Sequence, residues 1–258
     1  MLSTYVQYNL IAANMDRSVE AINRDPVVSR ETEYYLANIG NIDTVDDFMA
    51  DTRLFNYAMK AHGLSDMSYA KAFMTKVLEE GHDDDEAFVN QLADKRYIEF
   101  AKTFDFNRYG ATATTFSRAT TGVAEKYVRQ TLEENAGGDN EGVRLALYFE
   151  RKGAKIESAY DILGDRALGQ VVRTVLGLPD SIAFLDIDRQ KEMIEQRLDL
   201  EDFQDPVKLN EFVQRFTTLW DVANSQSVET QGIVALTSGS VATGISSDLM
   251  MAIQKIGR

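Results

Sequence analysis

The sequence predicts an all-α fold made of a duplicated multi-helix unit packed with pseudo-twofold symmetry, and three observations carry that expectation. Prolines are scarce, 3 in 258 residues, so little interrupts a helix. Apolar side chains recur three and four positions apart along most of the chain, the period of one helix face. The chain also resembles itself. Tyr34–Asp66 aligns without a gap on Tyr148–Asp180 at an offset of 114, with 8 identities in 33 positions, where chance gives about 2.

Taken in order, the first helical run covers about 5–24, with an apolar seam at Ile11, Met15, Val19 and Ile22. It must stop before Asp25-Pro26, because the residue ahead of a proline avoids the α region. Arg30 to Ile39 reads as a second helix, and further runs are expected over about 44–62, 67–80, 85–104, 121–135, 140–152, 158–176, 187–198 and 206–224. Asn107 to Thr121 is dense in Thr, Gly and Ser and reads as a loop or short hairpin. Ser225–Ser247 is rich in Ser, Thr and Gly and reads as mobile or irregular, followed by a short helix carrying Leu249, Ile253 and Ile256. The organisation expected is one helical domain, with repeat units over about 30–106 and 144–222 and a tail over 225–258.

The repeated polar residues admit two explanations. Asp47 and Asp51 lie four apart, as do Asp161 and Asp165. Four carboxylates converging across a pseudo-twofold axis could hold a metal or do acid/base work, making an enzyme or small-ligand binder with a carboxylate-lined cleft between the repeats. Helix capping explains more of the pattern. Thr44-x-x-Asp47 and Ser158-x-x-Asp161 match the capping box, and Asp51 and Asp165 fit N-caps of the next helix. Gly63 and Gly177, each followed by Leu, fit left-handed C-terminal stops, and Asp66 and Asp180 begin the turn beyond. Every repeated polar residue except Tyr34 and Tyr148 thus has a place at a helix end.

Other chemistry is poorly supplied. There is no Cys, and His62 and His82 are the only histidines, which leaves little for thiolate or imidazole metal sites. His82-Asp83-Asp84-Asp85-Glu86 lacks the alternation of a calcium loop and reads as the acidic first turn of a helix after Gly81. Gly239 to Ser246 approaches a phosphate loop but has Ile245 where the lysine belongs. Tyr97, Phe100, Phe104 and Phe106 read as a core seam, and Trp220 as a core or interface anchor. With 41 acidic and 27 basic side chains, the net charge of −14 repels phosphate backbones and anionic membranes. The basic face of Arg144, Arg151, Lys152 and Lys155 is expected to pair with nearby Glu. No membrane-spanning stretch and no cleaved secretory signal are apparent, which points to the cytoplasm.

The segments Glu31 to Ile39 (ETEYYLANI) and Ile42-x4-Asp47-x3-Asp51-x2-Leu54, with Gly63-Leu64, resemble a bacterial family of unknown function. The resemblance runs from about residue 5 to 222. Genes of that family commonly lie among flagellar basal-body genes, which implies an assembly, axial or accessory role there and export without a cleaved signal as the alternative location. The region Asn9–Asn14 lacks the Asn-x-x-Asn-x-x-Thr-x-Gly-Tyr motif of rod proteins. The function expected is a non-enzymatic protein-interaction component with no cofactor. Its partners would be other proteins, flagellar ones among them, or a second copy held through helices near the chain ends.

Overall fold

In the computed structural model, which describes residues 2–238, every regular element is helical and no strand occurs among the described residues. The expected first helix is broken in two. α1 (Thr4–Ala12) and α2 (Met15–Asn23) meet at Asn14, whose side chain bonds back to Leu10 O instead of capping α2. α3 (Pro26–Asn38) begins on Asp25, whose Oδ1 accepts from Val27 N and Val28 N, and Pro26 holds the first helical position, where no amide hydrogen is needed.

α4 (Val45–Ala50), α5 (Thr52–Ala61), α6 (Lys71–Glu80), α7 (Arg96–Thr103) and the short α8 (Phe106–Tyr109) follow. α9 (Thr121–Asp139) leads into α10 (Glu141–Gly153), α11 (Ala159–Gly164), α12 (Arg166–Leu176), α13 (Ile187–Glu195) and α14 (Pro206–Ser238). α4 and α11 begin and end 114 positions apart, and α5 and α12 begin 114 apart. α3 packs on α5 and α4 on α6, as α10 packs on α12 and α11 on α13.

Three expectations need correction. The run 85–104 is α-helical only from Arg96, with a short 3-10 helix over Phe88–Gln91. Before it, Asn90 Nδ2 donates to His82 O and Asp84 O and holds 83–86 as turns, so the acidic run does not open an α-helix. The stretch 107–121 is no hairpin: Thr112 and Thr115 hydroxyls bond carbonyls three residues back and close a 3-10 turn over Gly110–Thr115. The chain from 225 to 238 is not irregular but continues α14, since no proline follows Pro206 there and Gly232 is its one glycine. The rest of the expected tail, including Gly239–Ser246 and the helix with Leu249, Ile253 and Ile256, lies outside the described residues.

Two apolar cores result. The first gathers buried residues between Val28 and Val128, centred on Phe48, Phe55, Phe100 and Phe104. The second joins Tyr8 of α1 to residues between Val143 and Phe216. The N-terminal seam spans both: Ile11 and Met15 pack on the second core, Val19 and Ile22 on the first. That seam is covered by its own chain. α9 lies between the cores, touching α2, α3 and α5 on one side and α10 on the other.

The halves approach closely at Gly164, where a Cβ would sit 2.2 Å from the backbone oxygen of Ala93. Backbone cannot yield as a side chain can, so Gly164→Ala should destabilise the fold by about 1–3 kcal/mol. Gly138, helical and with nothing near its missing Cβ, is the contrasting case: Gly138→Ala should stabilise by about 0.5–1 kcal/mol. Urea unfolding of both variants checks the pair, and equal effects would refute the close approach.

Candidate functional site

The repeated acids lie at the breaks between paired helices. Asp51 Oδ1 accepts from Arg53 N and Leu54 N, both at 3.0 Å, and caps α5. Asp165 Oδ1 accepts from Ala167 N at 2.9 Å and Leu168 N at 3.2 Å, and caps α12. The remaining oxygen has the same partner type in both places: Tyr34 OH donates to Asp51 Oδ2, and Tyr148 OH to Asp165 Oδ2. The tyrosines, which capping alone had left without a role, thus complete the aspartates' hydrogen bonding from α3 and α10, the helices ahead of each pair. The signal was present in the shared 17-residue separation. Burial and Asp165 keep the Tyr148 hydroxyl protonated by raising its pKa, so it serves as a donor.

Ser158 and Asp161 form a complete capping box on α11, and Asp161 Oδ2 also accepts from Glu157 N. Thr44 accepts from Asp47 N at 3.1 Å and turns its own hydroxyl onto Asp47 Oδ2 at 2.7 Å, as Ser158 does onto Asp161, but the return bond to the Thr44 amide is absent from this copy. Gly63 and Gly177 have φ of 71° and 64°, and the following leucines send their amides back to Met59 O and Arg173 O, the Schellman closure. Asp66 and Asp180 do not cap. The first 3-10 turn starts at Ser65 with Leu64 at its N-cap, the second at Asp180 itself with Pro179 at its N-cap, and the Asp180 side chain faces Arg173 at 3.4 Å.

The cleft between the halves, about 300 Å³, is lined by Asp161 and Asp165 but by neither Asp47 nor Asp51. The four carboxylates therefore do not converge there. Facing the two acids are Lys102, Lys152 and Lys155, with Arg96 and Asp94 at one end. Arg96 donates to Asp94 through Nε and Nη2 and to Gly63 O through Nη1. Lys152 pairs with Glu99 at 2.7 Å. Burial works to raise the Glu99 carboxyl, but Lys152, Lys155 and Lys126 together hold it below the usual range. Among the described residues no group of three His, Asp or Glu side chains is arranged to hold a metal.

Behind this cleft lies a cluster that sequence reasoning missed. His62 is 7% exposed, with Nδ1 on Ala58 O at 2.8 Å and Nε2 3.1 Å from both Thr103 Oγ1 and Lys126 Nζ. Burial, with Lys126 beside it, pushes the imidazole pKa down to about 3. Burial also lowers the Lys126 pKa, with Glu99 pulling the other way. His62 is thus neutral near pH 7, donating from Nδ1 and accepting at Nε2.

The unfolded chain takes up a proton at His62 near its ordinary value of 6.5, whereas the folded protein resists down to about 3. Over that interval the unfolded state binds more protons. Stability should therefore fall as pH drops from 6.5 toward 3, with this one group contributing up to about 1.4 kcal/mol per pH unit. Urea melts across that range should show a shallower acid limb for His62→Gln than for the wild type, and identical slopes would remove His62 from the account.

Residues 61–209 match the sequence pattern of DUF1217, a protein family of unknown function. The fold is similar to the crystal structure of protein AGR_C_984 from Agrobacterium tumefaciens, a structural-genomics target. The two share 50% sequence identity with a TM-score of 0.81, over 87% of this chain and 97% of that one. No curated protein matches the chain. The matched segment runs from the last residue of α5 through α6 to α13 and into the first turn of α14, more than half of the chain, and on that ground the chain belongs to the DUF1217 family.

Proposed function

We propose that this protein is a non-enzymatic component that works by binding other proteins, a second copy of itself among them. The observation that carries the reading is the outward face of α1. Thr4 and Tyr8 are buried against α10 and α14, while Leu2, Tyr5, Val6 and Leu10 remain 57%, 42%, 41% and 55% exposed. The helical spacing of Tyr5, Val6 and Leu10 makes one stripe, with Leu2 just ahead of the N-cap Ser3. No charged side chain occurs in residues 1–15, although the whole chain carries −14. Two such copies repel over most of their surface, and a neutral apolar stripe is where they can approach at least cost. The commitment of Asp47, Asp51, Asp161 and Asp165 to backbone amides and neighbouring hydroxyls supports a structural rather than catalytic use of the repeated acids.

A finer reading follows from the family resemblance noted in the sequence: a flagellum-associated assembly or accessory protein, working in the cytoplasm or exported without a cleaved signal. Among the described residues no helix is long and apolar enough to cross a membrane. We also infer that the two halves are copies of one unit related by a pseudo-twofold axis. The recurring caps, Schellman closures and tyrosine–aspartate bonds support it. A crystal structure of this chain should superimpose 34–104 on 148–216 with α4 on α11 and α5 on α12; failure of those helices to align would refute the duplication.

Light scattering across a concentration series tests the interaction face. Self-association is expected for the wild type and its loss for Val6→Glu, whose half-exposed site should leave the fold intact. A wild type that stays monomeric at every concentration would refute self-binding through α1. Deleting the gene should impair swimming, and normal motility would end the flagellar reading without touching the fold.

A further inference from the structure

We propose that the surface formed by the 3-10 turn Asp180–Phe184, the start of α13 and Tyr160 of α11 is a docking site for a cationic amphipathic segment of a partner protein. Phe184 is 92% exposed, the most exposed of the large apolar side chains among the described residues, and Leu185, Ile187 and Tyr160 are 46%, 46% and 41% exposed. This is a built surface. Ile182, 5% exposed, anchors the turn in the fold, Leu185 N donates to Ile182 O at 2.9 Å, and Gln190 Nε2 donates to Leu185 O at 2.8 Å. Tyr160 is held by its hydroxyl on Asp188 Oδ1 at 2.6 Å. With Ile182 turned inward, Phe184 is turned out to water, against the ordinary preference for burial.

The charge around the patch selects its occupant. Residues 180–195 contain five carboxylates and two cations, and both cations are already matched, Arg189 with Glu192 and Lys191 with Glu195. That leaves Asp180, Asp186 and Asp188 around the apolar side chains. Asp186 accepts an amide and Asp188 a tyrosine hydroxyl, both neutral donors, while Asp180 has a side chain 95% exposed and only a long contact to Arg173. A second copy would set these aspartates against their own kind, and nucleic acid or anionic lipid would be repelled in the same way. A helix with an apolar stripe flanked by Lys or Arg satisfies both features, burying Phe184 and neutralising the rim. The inference rests on the reading of the protein as an interaction component, but concerns a different surface from α1.

The test is fluorescence anisotropy of the full chain with a labelled amphipathic helix of Lys and Leu. Its counterpart of Glu and Leu serves as the control for charge. The Lys/Leu helix should bind, Phe184→Ser should weaken it by about tenfold or more, and raised salt should weaken it further. The Glu/Leu helix should not bind. Tyr69→Ser, at an 82% exposed aromatic on another part of the surface, should change nothing, and Val6→Glu should abolish self-association while leaving peptide binding intact. Because Phe184 makes so little contact with the fold, unchanged melting of Phe184→Ser is expected and ties any loss to the surface. The proposal is overturned by a wild type that fails to bind, by equal binding of the Glu/Leu helix, or by binding that Phe184→Ser leaves unaltered. The last would mean general adhesion to an acidic protein.

Discussion

Glu133, on the helix that lies between the two cores, is 1% exposed, where an unpaired carboxylate is costly to bury. Arg129, one turn earlier on α9, reaches it at 3.0 Å, and Arg151 of α10 forks onto both of its oxygens at 2.7 Å. A bidentate pair fixes distance and orientation together, so the carboxylate sets how α9 lies along α10. Removing either arginine would leave a buried charge undercompensated, a loss of about 3–5 kcal/mol in comparable cases. The hairpin is closed by Asn140 alone. Its Oδ1 accepts from Gly142 N, and its Nδ2 donates to Thr4 Oγ1, which itself donates to Asp221. Four helices, α1, α9, α10 and α14, are thereby tied at one end of the clamp.

The remaining contacts between the halves follow from that placement. Tyr127 of α9 stacks on Tyr57 of the first core with ring centroids 3.8 Å apart, while Ala136, further along the same helix, packs on the second. Lys60 pairs with Glu134 at 3.0 Å, and Lys152 reaches across to Glu99. The basic stripe of α10 is accordingly internal adhesive: Arg144, Arg151 and Lys152 each hold a glutamate, on Glu141, Glu133 and Glu99. Trp220 lies against the bare Cα of Gly142, where a Cβ would come within 2.3 Å of the indole ring. A small residue is required there because a large ring fills the space.

Local rules were legible in the sequence because they act over a few residues. Asp51, Asp165 and Ser158 sit next to the amides they cap, so their neighbours disclose them, whereas the cap at Asp25 starts α3 four residues before the expected Arg30. The glycine stops at 63 and 177 and the apolar periods are of the same kind. Reading failed where two local tendencies competed: side-chain bonds from Asn90, Thr112 and Thr115 to nearby carbonyls replaced α-helix or loop with tight turns. The candidate site was legible only in part. The aspartates were found, but Tyr34 and Tyr148 acquire their role only once a preceding helix packs beside the cap.

The all-helical character, the caps and the self-similarity at an offset of 114 were set by residue order alone, since each depends on neighbours within a turn or on a pattern that survives without coordinates. Tertiary packing decided which of the like-charged groups are buried and which are free. Nothing in the chain order separates Glu133 from the glutamates around it, or the immersed His62 from His82. Burial depends on which distant helix covers a position, and the cost of desolvating a charge then selects its partner. The same holds for Phe184 and Phe203, two phenylalanines of similar local surroundings. One is 92% exposed and the other 1%, because α14 and α10 close over the second and nothing in the described chain closes over the first.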